Sequence, residues 1–323
     1  MGSAEWFQAS PLYTDKGSPI LITPARTTDL VELIHAQCER LEAHLMAAGG
    51  LLMRGFGINT VEKFDAVAAA LSSSRPDFAE ESSPRSQIQG AVYTSTDYPP
   101  EYPIQFHNEY AYTSRWPMRI FFCCFVAAET GGATPIADTR RILRRLKDKT
   151  RARFVEKGLL YVRNFIPHVG VSWQKSFGTE DPKVVEAYLR EKGIEHRWGA
   201  EGRLQLLQRG PALAVHPKTG EEVWFNTALF FNVLGLEPES LREFFASEPE
   251  DTLSTNTYYG DGSPIEPEVI EELRQAYQAE SSRFPWQVGD VLLIDNMLAA
   301  HAREPFSGRR RVAVVMADPH GRD

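Results

Sequence analysis

His107 and Glu109, two positions apart in the run Phe106-His107-Asn108-Glu109-Tyr110, offer two donor types that a divalent metal accepts: an imidazole nitrogen and a carboxylate oxygen. In an extended strand alternate side chains share a face, so both would project together while Asn108 points the other way. A second histidine from a distant strand, His301, would complete one side of an octahedral Fe(II) and leave the other positions open. With eight histidines and 43 acidic residues in 323 positions, chance alone supplies about one such His-x-acid pair. The elements around the pair must therefore carry the assignment.

Downstream of the motif, Arg119 to Ala127 (RIFFCCFVA) is an uninterrupted apolar run and predicts a strand buried on both faces. Trp286 to Ala300 predicts one strand leading to His301, and Arg309 to Ala317 a second strand returning across the turn at residues 305–308. Before the motif, Ile20 to Ile22 reads as an edge strand. Leu30, Leu33, Ile34, Cys38, Leu41 and Leu45 then recur at helical spacing, with Thr27 or Thr28 as N-cap and Gly49-Gly50 as the stop. A short strand over residues 51–54 and a helix over 61–71 follow.

Residues 74–103 lack any period and predict a long loop that delivers the chain to His107. Such loops often bind, and Arg85 and the stretch Val92 to Thr96 are the candidates to reach a substrate; Arg85 reads equally well as a solvated arginine. Helices are expected over 139–154, 183–192, 238–245 and 267–280, with strand or loop over 161–171 and strand-like alternation from Leu204 to Val215. Residues 217–220 form a hairpin turn into Val223 to Asn226. His216 beside it needs only one hydrogen-bond partner and is read as structural.

The net charge of −8, with a sequence pI near 5.6, argues against a nucleic-acid partner, and Arg309-Arg310-Arg311 is too short a basic cluster to reverse that. No apolar run reaches the length of a membrane span, and the N-terminus does not read as a signal peptide, so the expectation is a cytoplasmic protein without a membrane partner. Cys38, Cys123 and Cys124 cannot build a disulfide framework, and the adjacent pair reads as small buried hydrophobes.

The set FHNEY, ETGGAT, VWFN and GDVLLIDNMLAAHAREPFSGRRRVAVVM, in that order, resembles the taurine dioxygenase/TfdA superfamily of Fe(II)- and 2-oxoglutarate-dependent oxygenases. It is nearest the branches of the syringomycin-pathway aspartyl hydroxylase and clavaminate synthase. The resemblance implies an α+β, mainly β protein: a single domain over 1–323 with a double-stranded β-helix (jelly-roll, cupin-like) core and flanking helices. Within it lie a long active-site loop at about 74–103 and a helical insertion at about 139–200. It further implies metal ligation by His107, Glu109 and His301, and binding of the distal 2-oxoglutarate carboxylate by Thr134 and an arginine after the second histidine.

Alternation puts Arg309 and Arg311 on one strand face and Arg310 on the other; Arg311 is preferred because it aligns with the last arginine of the superfamily's pair. The implied cofactors are Fe(II), 2-oxoglutarate and O2. The implied reaction decarboxylates 2-oxoglutarate to succinate and CO2 while hydroxylating an unactivated C–H bond of a small amino acid or an aminoacyl group on a carrier protein. Related halogenases lack the carboxylate ligand, so Glu109 argues for hydroxylation. Val315 replaces a second arginine that holds a sulfonate in some members, which argues against taurine. Gln105 and Asn226 are further candidates to touch substrate, each equally able to fill a core hydrogen bond. The alternatives are desaturation, epoxidation or cyclisation with the same cofactors, a zinc hydrolase, and a non-catalytic binding protein on the same scaffold.

Overall fold

The computed structural model describes residues 5–13, 18–76, 79–83, 85–96 and 98–322. At its centre, the apolar runs around residues 120, 293 and 314 lie side by side in an eight-stranded sheet. Its order is Phe7–Pro11, Ile20–Pro24, Gly50–Met53, Val291–Asp295, Arg115–Val126, Arg311–Gly321, Val92–Thr94 and Gln87–Gln89. Every pairing is antiparallel except that of Ile20–Pro24 with Gly50–Met53. Ile20–Pro24 is thus an inner strand, and the expected edge position belongs to Phe7–Pro11.

Both faces of this sheet are covered, which is why its strands read as continuous apolar runs. Leu33, Leu41 and Leu45 of the helix Leu30–Ala48 and Phe64 of the helix Val61–Ala70 pack on Phe121, Cys123, Leu293 and Val315. The opposite face buries Phe122, Cys124, Leu292, Val312 and Val314 against Ile136, Phe284 and Trp286. Cys123 and Cys124 are both buried and free, as the alternation of one strand across two cores requires. Asp29 rather than Thr27 or Thr28 caps the first helix, its carboxylate accepting from the N–H groups of Val31 and Glu32. Cys38 is exposed, contrary to the helical spacing, because the backbone leaves helical angles at Gln37 (φ −133°, ψ 22°) and the apolar stripe shifts phase there.

Facing the covered sheet is a three-stranded antiparallel sheet of Ile104–His107, Ala299–Arg303 and Ile136–Asp138. The predicted single strand from Trp286 to Ala300 is in fact two elements in two sheets, Val291–Asp295 and Ala299–Arg303. The break is chemical: the Asp295 carboxylate accepts from the N–H groups of Met297 (2.9 Å) and Leu298 (3.0 Å), folding the chain into a turn. The predicted loop over 74–103 contains two three-residue strands that extend the large sheet, too short to show a period. A separate four-stranded sheet, Glu195–Trp198, Leu204–Gly210, Leu159–Phe165 and Thr255–Tyr259, is flanked by helices that include Pro182–Glu191 and Pro267–Glu280. Among the described residues no helix is long and apolar enough to cross a membrane.

Candidate metal centre

His107 ends its strand and stands opposite His301 in the neighbouring one, so the sheet register itself brings the two imidazoles together with ring centroids 4.3 Å apart. Glu109 arrives differently from the expectation. The strand stops at His107, and Glu109 lies in the following turn, where Tyr110 takes a positive φ of 56°. The turn is held by two asparagines. Asn296 accepts from the N–H of Glu109 (2.8 Å) and donates to its carbonyl (2.8 Å), and Asn108 donates to the carbonyl of Asn296 (2.6 Å). These side chains satisfy backbone groups that a strand ladder would otherwise pair.

The three donors converge. One carboxylate oxygen, Oε1 of Glu109, lies 3.6 Å from Nε2 of His107 and 3.5 Å from Nε2 of His301, and the ligand atoms of the three residues all fall within 4.8 Å of one another. All three residues are buried. Nδ1 of His107 lies 2.8 Å from the carbonyl of Gln105. A carbonyl only accepts, so Nδ1 carries a proton and Nε2 is the nitrogen turned toward the other donors. Burial, reinforced by His107, pushes the His301 imidazole down to about 4, so it is neutral at neutral pH. Burial alone would raise the Glu109 carboxyl, but Arg85 and the two imidazoles hold it well below the usual carboxylate range. Two imidazole nitrogens and an ionised carboxylate in a buried cluster fit a divalent cation.

Next to the cluster is a small cavity of about 30 Å³ whose lining includes Thr134, Arg310, Phe122, Val314 and Ser95. Arg310, not Arg311, faces it. Arg310 donates to the carbonyl of Gly132 (2.9 Å) and reaches Thr134 Oγ1 (3.4 Å) and Ser95 Oγ (3.4 Å). Burial, with Arg303 nearby, pushes its guanidinium down to about 10, still a cation at neutral pH. No carboxylate among the described residues pairs with it. Thr134 is buried, and its oxygen also accepts from Trp286 Nε1 (3.1 Å), which leaves its own proton free to donate. The Gly131-Gly132 turn permits this approach: a Cβ at Gly131 would sit 2.1 Å from the carbonyl oxygen of Pro305.

Of the remaining sequence candidates, Arg311, Asn226 and Gln105 lie outside the cavity lining, whereas Arg85 is part of it. Arg311 is exposed and stacks over Phe125 on the outer face, because the inward positions of its strand are the even-numbered ones, Val312 and Val314. By the same phase, Val314 rather than Val315 lines the cavity, again with no cation there. Asn226 is buried away from the cavity, donating to the Ala212 carbonyl (2.6 Å) and accepting from the Ala228 N–H (2.9 Å). Gln105 contributes its backbone carbonyl to His107. Arg85, in the predicted binding loop, donates to Glu109 Oε1 at 2.6 Å with a side chain only 6% exposed. His216 is fully buried, pairing with Asp295 (3.1 Å).

Residues missed by sequence reasoning are Asn296 and Arg303. The signal for the first was present: Asp295-Asn296 interrupts an apolar run with two turn-forming residues. Arg303 donates to the carbonyls of Tyr98 (2.9 Å), Pro99 (2.7 Å) and Tyr102 (2.8 Å), pinning that loop beside the cavity.

Residues 17–316 match the family described as taurine catabolism dioxygenase TauD, TfdA family. The dapdiamide synthesis protein DdaC of Enterobacter agglomerans is 38% identical over 275 residues, covering 85% of this chain and 84% of DdaC. A clavaminate synthase-like protein of Arabidopsis thaliana is 29% identical, covering 93% of each chain. Among solved structures, PvcB from Pseudomonas aeruginosa superposes with a TM-score of 0.58 at 16% identity, over 98% of this chain and 92% of that one. AAD-2, solved with Mn(II) and N-oxalylglycine, gives 0.57 at 13% identity over 98% of both chains.

Proposed function

The chain belongs to the TauD/TfdA family of dioxygenases, and on that footing we propose that it hydroxylates an unactivated C–H bond of a small amino acid, or of an aminoacyl group on a carrier protein. The enzyme is a non-haem iron, 2-oxoglutarate-dependent dioxygenase, with O2 as co-substrate. His107, Glu109 and His301 hold Fe(II), and Arg310 with Thr134 holds the distal carboxylate of 2-oxoglutarate. The observation that carries the reading is the half-buried Arg310, which meets no carboxylate among the described residues, in the same cavity as three converging metal donors. A zinc hydrolase would leave Arg310 and Thr134 without a ligand to hold.

When bound, the iron supplies dioxygen activation coupled to decarboxylation of 2-oxoglutarate to succinate and CO2. The protein supplies the rest. His107 and His301 present imidazole nitrogens, Glu109 supplies the charge, and Asn296 keeps that carboxylate in place through its backbone. Arg310 offers a charge-assisted contact to an incoming carboxylate, and the Thr134 hydroxyl donates beside it. Phe122 and Val314 form apolar walls that exclude water from the reacting atoms.

The facing eight- and three-stranded sheets are read as the jelly-roll core of one domain spanning 1–323, with the binding loop at about 74–103 and an insertion at about 139–200 that is not all helical as expected, since it also supplies the strands Leu159–Phe165 and Glu195–Trp198. The relative named for dapdiamide synthesis supports a place in specialised metabolism, and the buried free thiols Cys123 and Cys124 support the cytoplasm.

Anaerobic addition of Fe(II) and 2-oxoglutarate tests the reading. A weak visible charge-transfer band should form and be absent in His107→Ala, and admitting O2 should yield succinate. Activity with zinc and none with iron would overturn it. Mass spectrometry of the products distinguishes a gain of oxygen from the loss of hydrogen that desaturation or ring closure would leave.

A further inference from the structure

Arg85 is a wall shared by two cavities. One holds the metal donors; the other, of about 430 Å³, lies beyond it and includes Glu81, Lys175 and Met316 in its lining. The guanidinium is only partly engaged: one nitrogen meets Glu109 (2.6 Å), another meets the sulfur of Met316 (3.5 Å), and Nε is buried with no partner among the described residues. A buried donor in that state calls for an acceptor.

The outer cavity carries charges of opposite sign. The Glu81 carboxylate accepts from the backbone N–H of Arg85, and the Lys175 ammonium lies 3.5 Å from the Arg85 carbonyl. Their neighbour Glu80 sets their positions. Its buried carboxylate accepts from Tyr188 (2.9 Å) and Arg163 (3.2 Å), its carbonyl accepts from the Tyr112 hydroxyl (2.6 Å), and its N–H donates to the Ser176 carbonyl (2.9 Å). The segment holding Glu81 is therefore fastened to the helix Trp173–Phe177, which carries Lys175.

We propose that the outer cavity is the head-group site for a free α-amino acid, in which Glu81 takes the ammonium and Lys175 the carboxylate. Arg85 turns from Glu109 to share that carboxylate and so opens the passage between the cavities. The inference rests on the oxygenase reading above and decides within it against a carrier-bound substrate, because a thioester offers no carboxylate to Lys175 and Arg85. A purely anionic substrate would meet Glu81, and a purely cationic one Lys175 and Arg85.

The test uses the full chain with Fe(II) and 2-oxoglutarate under argon, and three probes: an equimolar pool of the proteinogenic L-amino acids, the same pool N-acetylated, and the same pool as primary amides. The free pool should perturb the visible band and raise the thermal midpoint, whereas the blocked pools should need at least about ten times the concentration, the loss expected for one charge-assisted hydrogen bond. In Glu81→Gln the free and N-acetylated pools should become equivalent, and in Lys175→Met the free and amide pools should. Equal responses to all three pools in the unaltered protein, or none to the free pool, would overturn the proposal. Failure of the band itself to form counts against the iron reading instead, and the thermal midpoints then decide the head-group site without it.

Discussion

Asn296 grips the peptide of Glu109 from both sides, accepting from its N–H and donating to its carbonyl at 2.8 Å each, and donates also to the Pro117 carbonyl (2.9 Å). Since Asn108 in turn donates to the carbonyl of Asn296 (2.6 Å), the turn bearing Glu109 and the approach to the His301 strand are fixed to each other. Removing the amide should leave buried backbone groups unpaired. Asn296→Ala is expected to cost about 1–3 kcal/mol in a urea denaturation. It should also weaken Mn(II) binding by about 10–100-fold in a metal titration. Unchanged metal affinity would show that Glu109 keeps its place without this support.

Arg310 and Arg311 are adjacent in sequence and face opposite sides of the sheet, so they should separate cleanly by function. Arg310→Ala is expected to raise the 2-oxoglutarate concentration needed for half-maximal band formation by about 10–100-fold, with Mn(II) affinity retained. Arg311→Ala should leave both values unchanged.

Protons compete with folding at His301 in the metal-free protein. The folded imidazole stays neutral down to about 4 while the unfolded one takes a proton near 6.5, so between those values the unfolded chain binds more protons and stability falls as pH drops. By pH 5 the loss should reach about 2 kcal/mol. Urea unfolding in EDTA at pH 7 and pH 5 measures it, and His301→Asn should remove that share of the pH dependence.

The buried pair of Arg163 and Glu80 anchors the segment over residues 79–83, with side chains 4% and 0% exposed. Arg163→Ala should leave Glu80 as an uncompensated buried carboxylate and cost about 3–5 kcal/mol, whereas Arg163→Ala with Glu80→Gln should recover much of it. Thermal and urea unfolding of the single and double variants check this.

The metal donors are legible in the sequence because their chemistry is carried by residue type: few histidines exist, and only one precedes an acidic residue at the right spacing within a long loop-to-strand approach. The central strands are legible for the same reason they are buried, as unbroken apolar runs. That same property hides the phase of residues 311–317. With apolar cores on both faces of the sheet, hydrophobicity does not say which side Arg310 or Arg311 takes. The break at Asp295-Asn296 is hidden by the apolar residues on either side, and the role of Arg85 depends on a loop conformation set by distant partners such as Glu80 and Arg163. Side chains that hold other side chains leave little periodic trace.

Crystals soaked with Mn(II) and 2-oxoglutarate and measured for anomalous scattering test the central claim most directly. A single strong peak should lie within coordination distance of Nε2 of His107, Nε2 of His301 and a carboxylate oxygen of Glu109. A peak that omits His301, or one lying elsewhere in the molecule, would contradict the account.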